Sequence, residues 1–298
     1  MSDSTWIQRS LYQAVRVLPR HELTRLAGRL AQATIPVALR PTLYGGFSRL
    51  TGAMPGEAEL GTERYATFDA FFTRKLRDGV RTFDAAVQGI TSPADGALAA
   101  HGIIEQGTLI QAKGIDYPVH ALLGDNEWGD RFQQGVFATV YLSPADYHRV
   151  HVPADFTIER VRHLGGELWP VNNLSVPFVR GLFAVNERVA AMGTLADGTP
   201  FAMVMVAATV VGGMEISHPA INTSSTHRAV DAEWDLTPAW QAKAGDEFGV
   251  FHLGSTVVMV VGGDPQRWVI EAPRRANNKV RVGELLLRHA CHEPSANA

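Results

Sequence analysis

Two textures divide this chain. Up to about residue 83 apolar residues recur at helical spacing. Beyond it they fall into short β-prone runs between Gly, Pro and Asp turns. Over residues 4–18, Ile7, Leu11, Val15 and Leu18 share one helical face, flanked by Trp6 and Tyr12 and closed by Pro19. Residues 21–33 repeat the theme with Leu23, Leu26, Ala27 and Leu30, while Arg9, Arg16, Arg25 and Arg29 supply the polar faces. Residues 68–76 predict a further short helix that stops before Gly79. The runs 97–104, 108–113, 136–142, 156–163, 201–211, 248–261 and 267–271 predict strands. Residues 170–188, punctuated by Pro and Asn, predict an irregular functional loop. No internal repeat is present, and the end from Glu293 reads as frayed. The pattern predicts an α+β fold, a mostly antiparallel β core with N-terminal amphipathic helices. Its expected parts are a helical region, 1–83, and a β-rich core, 84–298.

Composition narrows the function classes. The 298 residues are 46% hydrophobic and 19% charged, as in an ordinary globular protein with a substantial core. The net charge of -3 argues against a nucleic-acid partner, but it is unevenly spread. Residues 1–50 hold seven Arg (9, 16, 20, 25, 29, 40, 49) against Asp3 and Glu22, a local +5 that leaves -8 for the rest. Arg without Lys, joined to Trp6 and apolar faces, suits adsorption to anionic lipid; packing of both helices on the core is the competing reading. Cys291 is the lone cysteine, so no intrachain disulfide is expected. Arg interrupts the N-terminus too often for a secretory signal. The longest apolar stretch, 201–211, is too short to span a bilayer.

Three segments carry candidate chemistry: Ser92-Pro93-Ala94-Asp95-Gly96, Tyr147-His148-Arg149-Val150-His151-Val152-Pro153, and Leu253-Gly254-Ser255-Thr256. Alone, the first and third each read as a turn into a strand, and the second as a structural histidine pair. His148 and His151, three apart, point to opposite faces of an extended chain and have no third ligand cluster beside them, so no metal is expected. Together the segments supply Asp95, His151 and Ser255, the parts for activating a hydroxyl: a carboxylate to orient the imidazole and an imidazole to take the serine proton. The Gly-x-Ser-x-Gly elbow of many hydrolases is absent, because Val257 fills its last position.

These motifs, with Gly181-Leu182-Phe183-Ala184-Val185-Asn186-Glu187-Arg188-Val189 between the second and third, resemble in order and spacing the phosphatidylserine decarboxylases. The resemblance runs from the Phe71-Phe72-Thr73-Arg74 segment to Val280-Arg281-Val282-Gly283. It implies self-cleavage between Gly254 and Ser255 into a β chain, 1–254, and an α chain, 255–298. The two stay together as a heterodimer, with a dimer of these left open. The implied cofactor is a pyruvoyl group derived from Ser255, which forms a Schiff base with phosphatidylserine and releases CO2 to give phosphatidylethanolamine. Asp95, His151 and Ser255 match the self-cleavage triad, and His148 the histidine linked to decarboxylation. The implied setting is peripheral, against anionic membrane lipid at the cytoplasmic face of the cell membrane.

The residues themselves suit that chemistry. Glycine at 254 leaves the attacked carbonyl open, and Thr256 is available to hold a developing oxyanion. His252 stands where Lys or Arg is expected. It is expected to face solvent, the other reading being that it tunes cleavage. Two alternatives from other classes are an Asp-His-Ser serine hydrolase at a membrane surface and a non-catalytic membrane-binding β module.

Overall fold

A computed structural model describes residues 13, 15–112, 115–171, 175–210, 213–223, 231–253, 255–271 and 275–290, with side chains at all of these except 85, 87, 112, 255 and 276. The helix expected over 4–18 lies mostly outside the described residues, of which 13 and 15–17 are helical.

The first full helix, α1 (Arg20–Ala31), does not pack by its leucines. Thr24, Gly28 and Ala31 face inward, whereas Leu26 and Leu30 are 54% and 66% exposed. Small residues let the helix backbone approach the protein, and Thr24 Oγ1 accepts the Val210 amide at 2.9 Å. Arg20 anchors its start: the guanidinium pairs with Glu167 at 2.6 Å and lies 3.9 Å over the Trp169 ring. For α1 the reading of helices packed on the core therefore holds through its small residues and not through its leucine face.

The next helix, α2 (Arg40–Thr51), stops at Gly52, whose φ of 87° suits a residue without Cβ. It buries Tyr44, whose hydroxyl donates to the carbonyls of Tyr65 (3.0 Å) and Thr67 (2.8 Å). The Tyr44 ring stacks on Phe71 at 4.3 Å. Phe71 belongs to α3 (Phe68–Phe72), which begins where Thr67 Oγ1 caps the Ala70 amide and ends earlier than the pattern predicts. Tyr44, Ala58, Tyr65 and Phe71 form a small core of their own, while Leu39, Leu43, Leu50 and Met54 remain exposed.

The β region follows: β1 (Gly89–Thr91), β2 (Gly96–Glu105), β3 (Thr108–Ala112), β4 (Ile115–Pro118), β5 (Gln134–Leu142), β6 (Arg149–His151), β7 (Phe156–Leu164) and β8 (Arg188–Leu195). Then come β9 (Pro200–Val206), β10 (Gly213–Ile216), β11 (Ala232–Ala242), β12 (Glu247–His252), β13 (Ser255–Gly262), β14 (Trp268–Ile270), β15 (Lys279–Val280) and β16 (Leu285–His289). Ten strands form one sheet in the order β11-β7-β8-β9-β13-β5-β2-β3-β4, with β15 also on β2. Two three-stranded sheets, β10-β12-β6 and β1-β16-β14, complete the region. The named strand pairs are antiparallel, as expected for the β core.

Three features depart from the sequence pattern. Strand β8 is rich in Ala and Gly and shows little β propensity; burial between β7 and β9 decides it. Strand β11 carries Asp235 and Pro238, which argue against a strand. It lies at the sheet edge, where its ladder to β7 breaks between Asp235 and Trp240 and so accommodates the proline. The run 248–261 is not one strand but β12 and β13, in different sheets. The loop expected over 170–188 holds, in its described part, a short helix, Leu182–Val185.

Candidate active site

The site is built on the break between β12 and β13. β12 is the middle strand of its sheet, between β10 and β6, and β13 lies between β9 and β5. On β13, Thr256 pairs with Tyr141 and Val206, and Val257 to Val261 are fully buried. The chain must therefore cross from one hydrogen-bonded ladder to another within two residues. Leu253 makes the turn with φ of 80°, a left-handed conformation that costs a residue with a Cβ about 1–2 kcal/mol. Strong ladders on both sides hold that strain in place. Gly254 lies outside the described residues, and Ser255 is described by its backbone, paired with Leu142.

The second motif runs beside this break. β6 pairs with β12, and the Phe251 amide donates to the His148 carbonyl at 3.0 Å, two residues before Leu253. The His148 ring is fully buried and stacks on Phe72 at 3.9 Å. Neither ring nitrogen has a hydrogen-bond partner; the Ser143 and Pro144 carbonyls lie near but outside bonding geometry. Burial first, and the Arg74 cation second, push its pKa down to about 3, so the resting imidazole is neutral. Arg74, also buried, leaves its Nε without a partner.

His151 is held differently. Its Nδ1 meets the Gly245 carbonyl at 2.9 Å and its Nε2 the Tyr147 hydroxyl at 3.0 Å. A carbonyl can only accept, so Nδ1 carries the proton and Nε2 receives the tyrosine O–H. Burial lowers the His151 pKa, partly offset by the Gly245 bond and the nearby charge of Glu247. The result is a neutral imidazole with one basic lone pair aimed at Tyr147.

Asp95 comes into the same region by backbone contact: the His151 amide donates to the Pro93 carbonyl at 2.8 Å. Its carboxylate, however, is engaged elsewhere. It accepts from Arg81 Nε at 3.0 Å, from a second Arg81 nitrogen, and from the Val282 amide at 2.9 Å. Arg81 also pairs with Glu57 at 2.8 Å. The glycine of this motif has a plain reason: a Cβ on Gly96 would come within 2.4 Å of the Tyr141 carbonyl oxygen on β5.

Thr256 sits at the start of β13 with its Oγ1 buried and unpartnered. The Asn186 side chain of the remaining motif accepts the Trp169 amide at 3.0 Å and donates to the Trp169 and Ala207 carbonyls, both at 2.8 Å, a role in bracing loops. Among the described residues no group of three or more His, Cys, Asp or Glu side chains is arranged to hold a metal ion, and no helix is long and apolar enough to cross a membrane.

His252 departs from its expected place in solvent. It is half-buried, with Nδ1 2.9 Å and 3.0 Å from the two Asp69 carboxylate oxygens and Nε2 3.5 Å from Glu215. Arg81, Asp69, Glu215 and Gly245 had no local signal in the sequence, since each is brought in by tertiary pairing. Tyr147 was inside a visible motif, but its part depends on the tautomer that Gly245 imposes.

The strained corner between two central strands, with His148 beside it through the Phe251 bond and the buried Thr256 hydroxyl just after it, is the candidate site for chemistry at a single peptide segment, while His151 lies farther along β6, opposite Glu247. Comparison with known proteins shows the family. The phosphatidylserine decarboxylase family model matches residues 68–288. A protein from Anaeromyxobacter sp. (strain K), named phosphatidylserine decarboxylase proenzyme, is 39% identical over 93% of this chain and 98% of its own length. Proteins of the same name from Marinobacter nauticus and Psychrobacter arcticus are 38% and 39% identical, each over 90% of this chain and over 93% and 95% of their own lengths. The chain belongs to the phosphatidylserine decarboxylase family.

Proposed function

We propose that this protein decarboxylates phosphatidylserine to phosphatidylethanolamine, after cutting its own chain between Gly254 and Ser255 and converting Ser255 into a covalently held pyruvoyl group. The observation that carries the reading is the strained corner at Leu253, immediately before the residues of the cut. Relatives named as proenzymes support a maturation step.

In the proposed cut, Ser255 Oγ attacks the Gly254 carbonyl carbon as its proton passes toward His151 Nε2. The C–N bond breaks and an ester forms. Elimination of the ester frees the Gly254 carboxylate, and the dehydroalanine left at 255 takes up water and loses ammonia. Gly245 supports His151 in this work by fixing the tautomer that leaves Nε2 unprotonated, where the Tyr147 hydroxyl now donates to it and would have to yield to the serine proton. Asp95 acts through charge and through the Pro93 contact rather than by holding Nδ1. A serine hydrolase is less well supported, because its carboxylate must hold Nδ1 at each turnover and here the Gly245 carbonyl does so.

The residues present fit a pyruvoyl group. Thr256 Oγ1 and both nitrogens of His148 are buried hydrogen-bonding groups without partners, a costly state unless something is to be received there. These two residues would hold it, and the group supplies an electron sink for loss of CO2. His148 is neutral at rest. A carboxylate-bearing head group beside it would raise its proton affinity, so that a ring nitrogen can deliver a proton to the carbon that CO2 leaves.

The N-terminal region, 1–83, is proposed to bring this site to its lipid. Leu26, Leu30, Leu39, Leu43 and Leu50 are exposed, alongside an arginine-rich, lysine-free stretch. Together they suit an anionic leaflet and peripheral attachment. The β chain, 1–254, and α chain, 255–298, would remain joined through the β13 ladders.

The test is a mass measurement on denatured protein with an activity assay beside it. Two chains ending at Gly254 and starting with a pyruvoyl group at 255 are expected; one intact 298-residue species with full activity would refute the mechanism. Ser255→Ala should remain uncut and inactive. His148→Ala should cut and yet release no CO2, and loss of cutting there would reverse the roles of the two histidines.

A further inference from the structure

His252 is the last residue of β12, and Asp69 and Glu215 are the charged groups that face its ring. Asp69 comes from α3 and Glu215 from β10. Three separate elements therefore meet on the residue immediately before the strained Leu253. On the far side, Ser255 enters the β5 ladder at Leu142. A strand end next to an unfavourable backbone conformation would ordinarily fray to relieve it. Here the end is tied by a two-oxygen contact at 2.9 Å and 3.0 Å, so the corner stays loaded.

We propose that His252, clamped between Asp69 and Glu215, is a positioning residue for the cut between Gly254 and Ser255: it holds the end of β12 so that Leu253 keeps the turn that presents the next peptide bond. The inference rests on the self-cleavage reading and adds to it the residues that load the bond. It also assigns a task to Asp69, which lies outside the three motifs.

The clamp has a direction in pH. Burial by itself would lower the His252 pKa, but the Asp69 hydrogen bond and charge, with a further share from Glu215, outweigh it and hold the value above that of an ordinary histidine. The clamp is thus fully formed at pH below the ordinary histidine value and is lost as pH rises through the raised one. His151, whose pKa is lowered, is already neutral over that range. A fall in cutting rate on raising the pH then has His252, not the base, as its source.

The experiment follows cutting of freshly translated full-length chain by denaturing mass measurement, from about pH 6 to about pH 9. Wild type should cut progressively more slowly as the pH rises. Asp69→Asn and His252→Ala should cut at least about tenfold more slowly than wild type at the low end, the rate equivalent of one charge-assisted hydrogen bond. His252→Lys keeps a cation at the clamp, so it should restore cutting and hold it level across the range. That rescue separates a lost clamp from a misfolded chain. Asp69→Asn and His252→Ala cutting at the wild-type rate, or a wild-type profile as level as that of His252→Lys, would overturn the inference while leaving self-cleavage standing. A wild-type chain that stays whole at every pH, as Ser255→Ala should, would remove both.

Discussion

Leucines on α1 and valines on β13 are equally apolar and are treated in opposite ways. Val257 to Val261 are enclosed between two ladders, whereas Leu26 and Leu30 face outward over a helix that packs by Thr24, Gly28 and Ala31. Burial of apolar surface from water is worth about 25 cal/mol per Å² wherever it happens. The β core collects that free energy within the chain. The N-terminal region leaves it uncollected, together with exposed Leu39, Leu43 and Leu50, and keeps only a small aromatic core around Tyr44 and Phe71. Under the proposed attachment to lipid, these exposed leucines are the side chains that would be buried there. Equal apolar character along the sequence therefore does not imply equal burial, because each side chain's cover depends on the element that faces it.

Substitutions in each region test this difference. The largest effect is expected in β13. Val258→Asp would bury an unpaired carboxylate in the centre of the ten-stranded sheet and should destabilise by at least about 4 kcal/mol, read as a lost cooperative melt. Normal melting would mean that β13 is not the central strand its ladders make it.

Next comes Arg81, which joins the regions through Glu57 and Asp95. Both sides of the Arg81–Asp95 pair are nearly enclosed, at 7% and 9% side-chain exposure. Arg81→Met should leave Asp95 buried and uncompensated and cost about 3–5 kcal/mol in urea unfolding. Arg81→Met with Asp95→Asn in the same chain should recover part of that loss, since neither residue is then an unpaired charge. A double variant as unstable as the single one would show that Arg81 works through Glu57 instead.

The smallest effect on stability, and a large one on location, is expected on α1. Leu23, Leu26 and Leu30 changed together to Ser should move stability by no more than about 0.5 kcal/mol, as exposed substitutions do. Binding to vesicles of anionic lipid should weaken roughly a hundredfold, which is the loss of a few kcal/mol of buried leucine. Destabilisation with undiminished vesicle binding would place that face in a protein contact and erase the distinction between the two regions.

Much of this was legible along the chain. Short β-prone runs separated by turn residues anticipated β2, β3, β5, β7, β9 and β14, because half-buried and buried strands are rich in apolar, β-branched and aromatic residues in any context. The motifs carrying Asp95, His148, His151 and Ser255 were visible by residue type and order. Other features had no such signature. Strand β8 is a strand because its neighbours cover it, and β11 tolerates Pro238 because it lies at an edge.

The family, the α+β class, the basic character of the first fifty residues and the residues that can carry acid–base chemistry are readable along the chain, since composition, period and motif spacing need no fold. How those residues are held emerges only with the fold. It split one apolar run at Leu253 into strands of two sheets, turned the leucines of α1 outward, placed Asp95 on Arg81 and His151 on Gly245, and drew His252 between Asp69 and Glu215. Hydrogen bonds and ion pairs between residues far apart in the chain depend on which surfaces the fold brings together, and no local pattern records that.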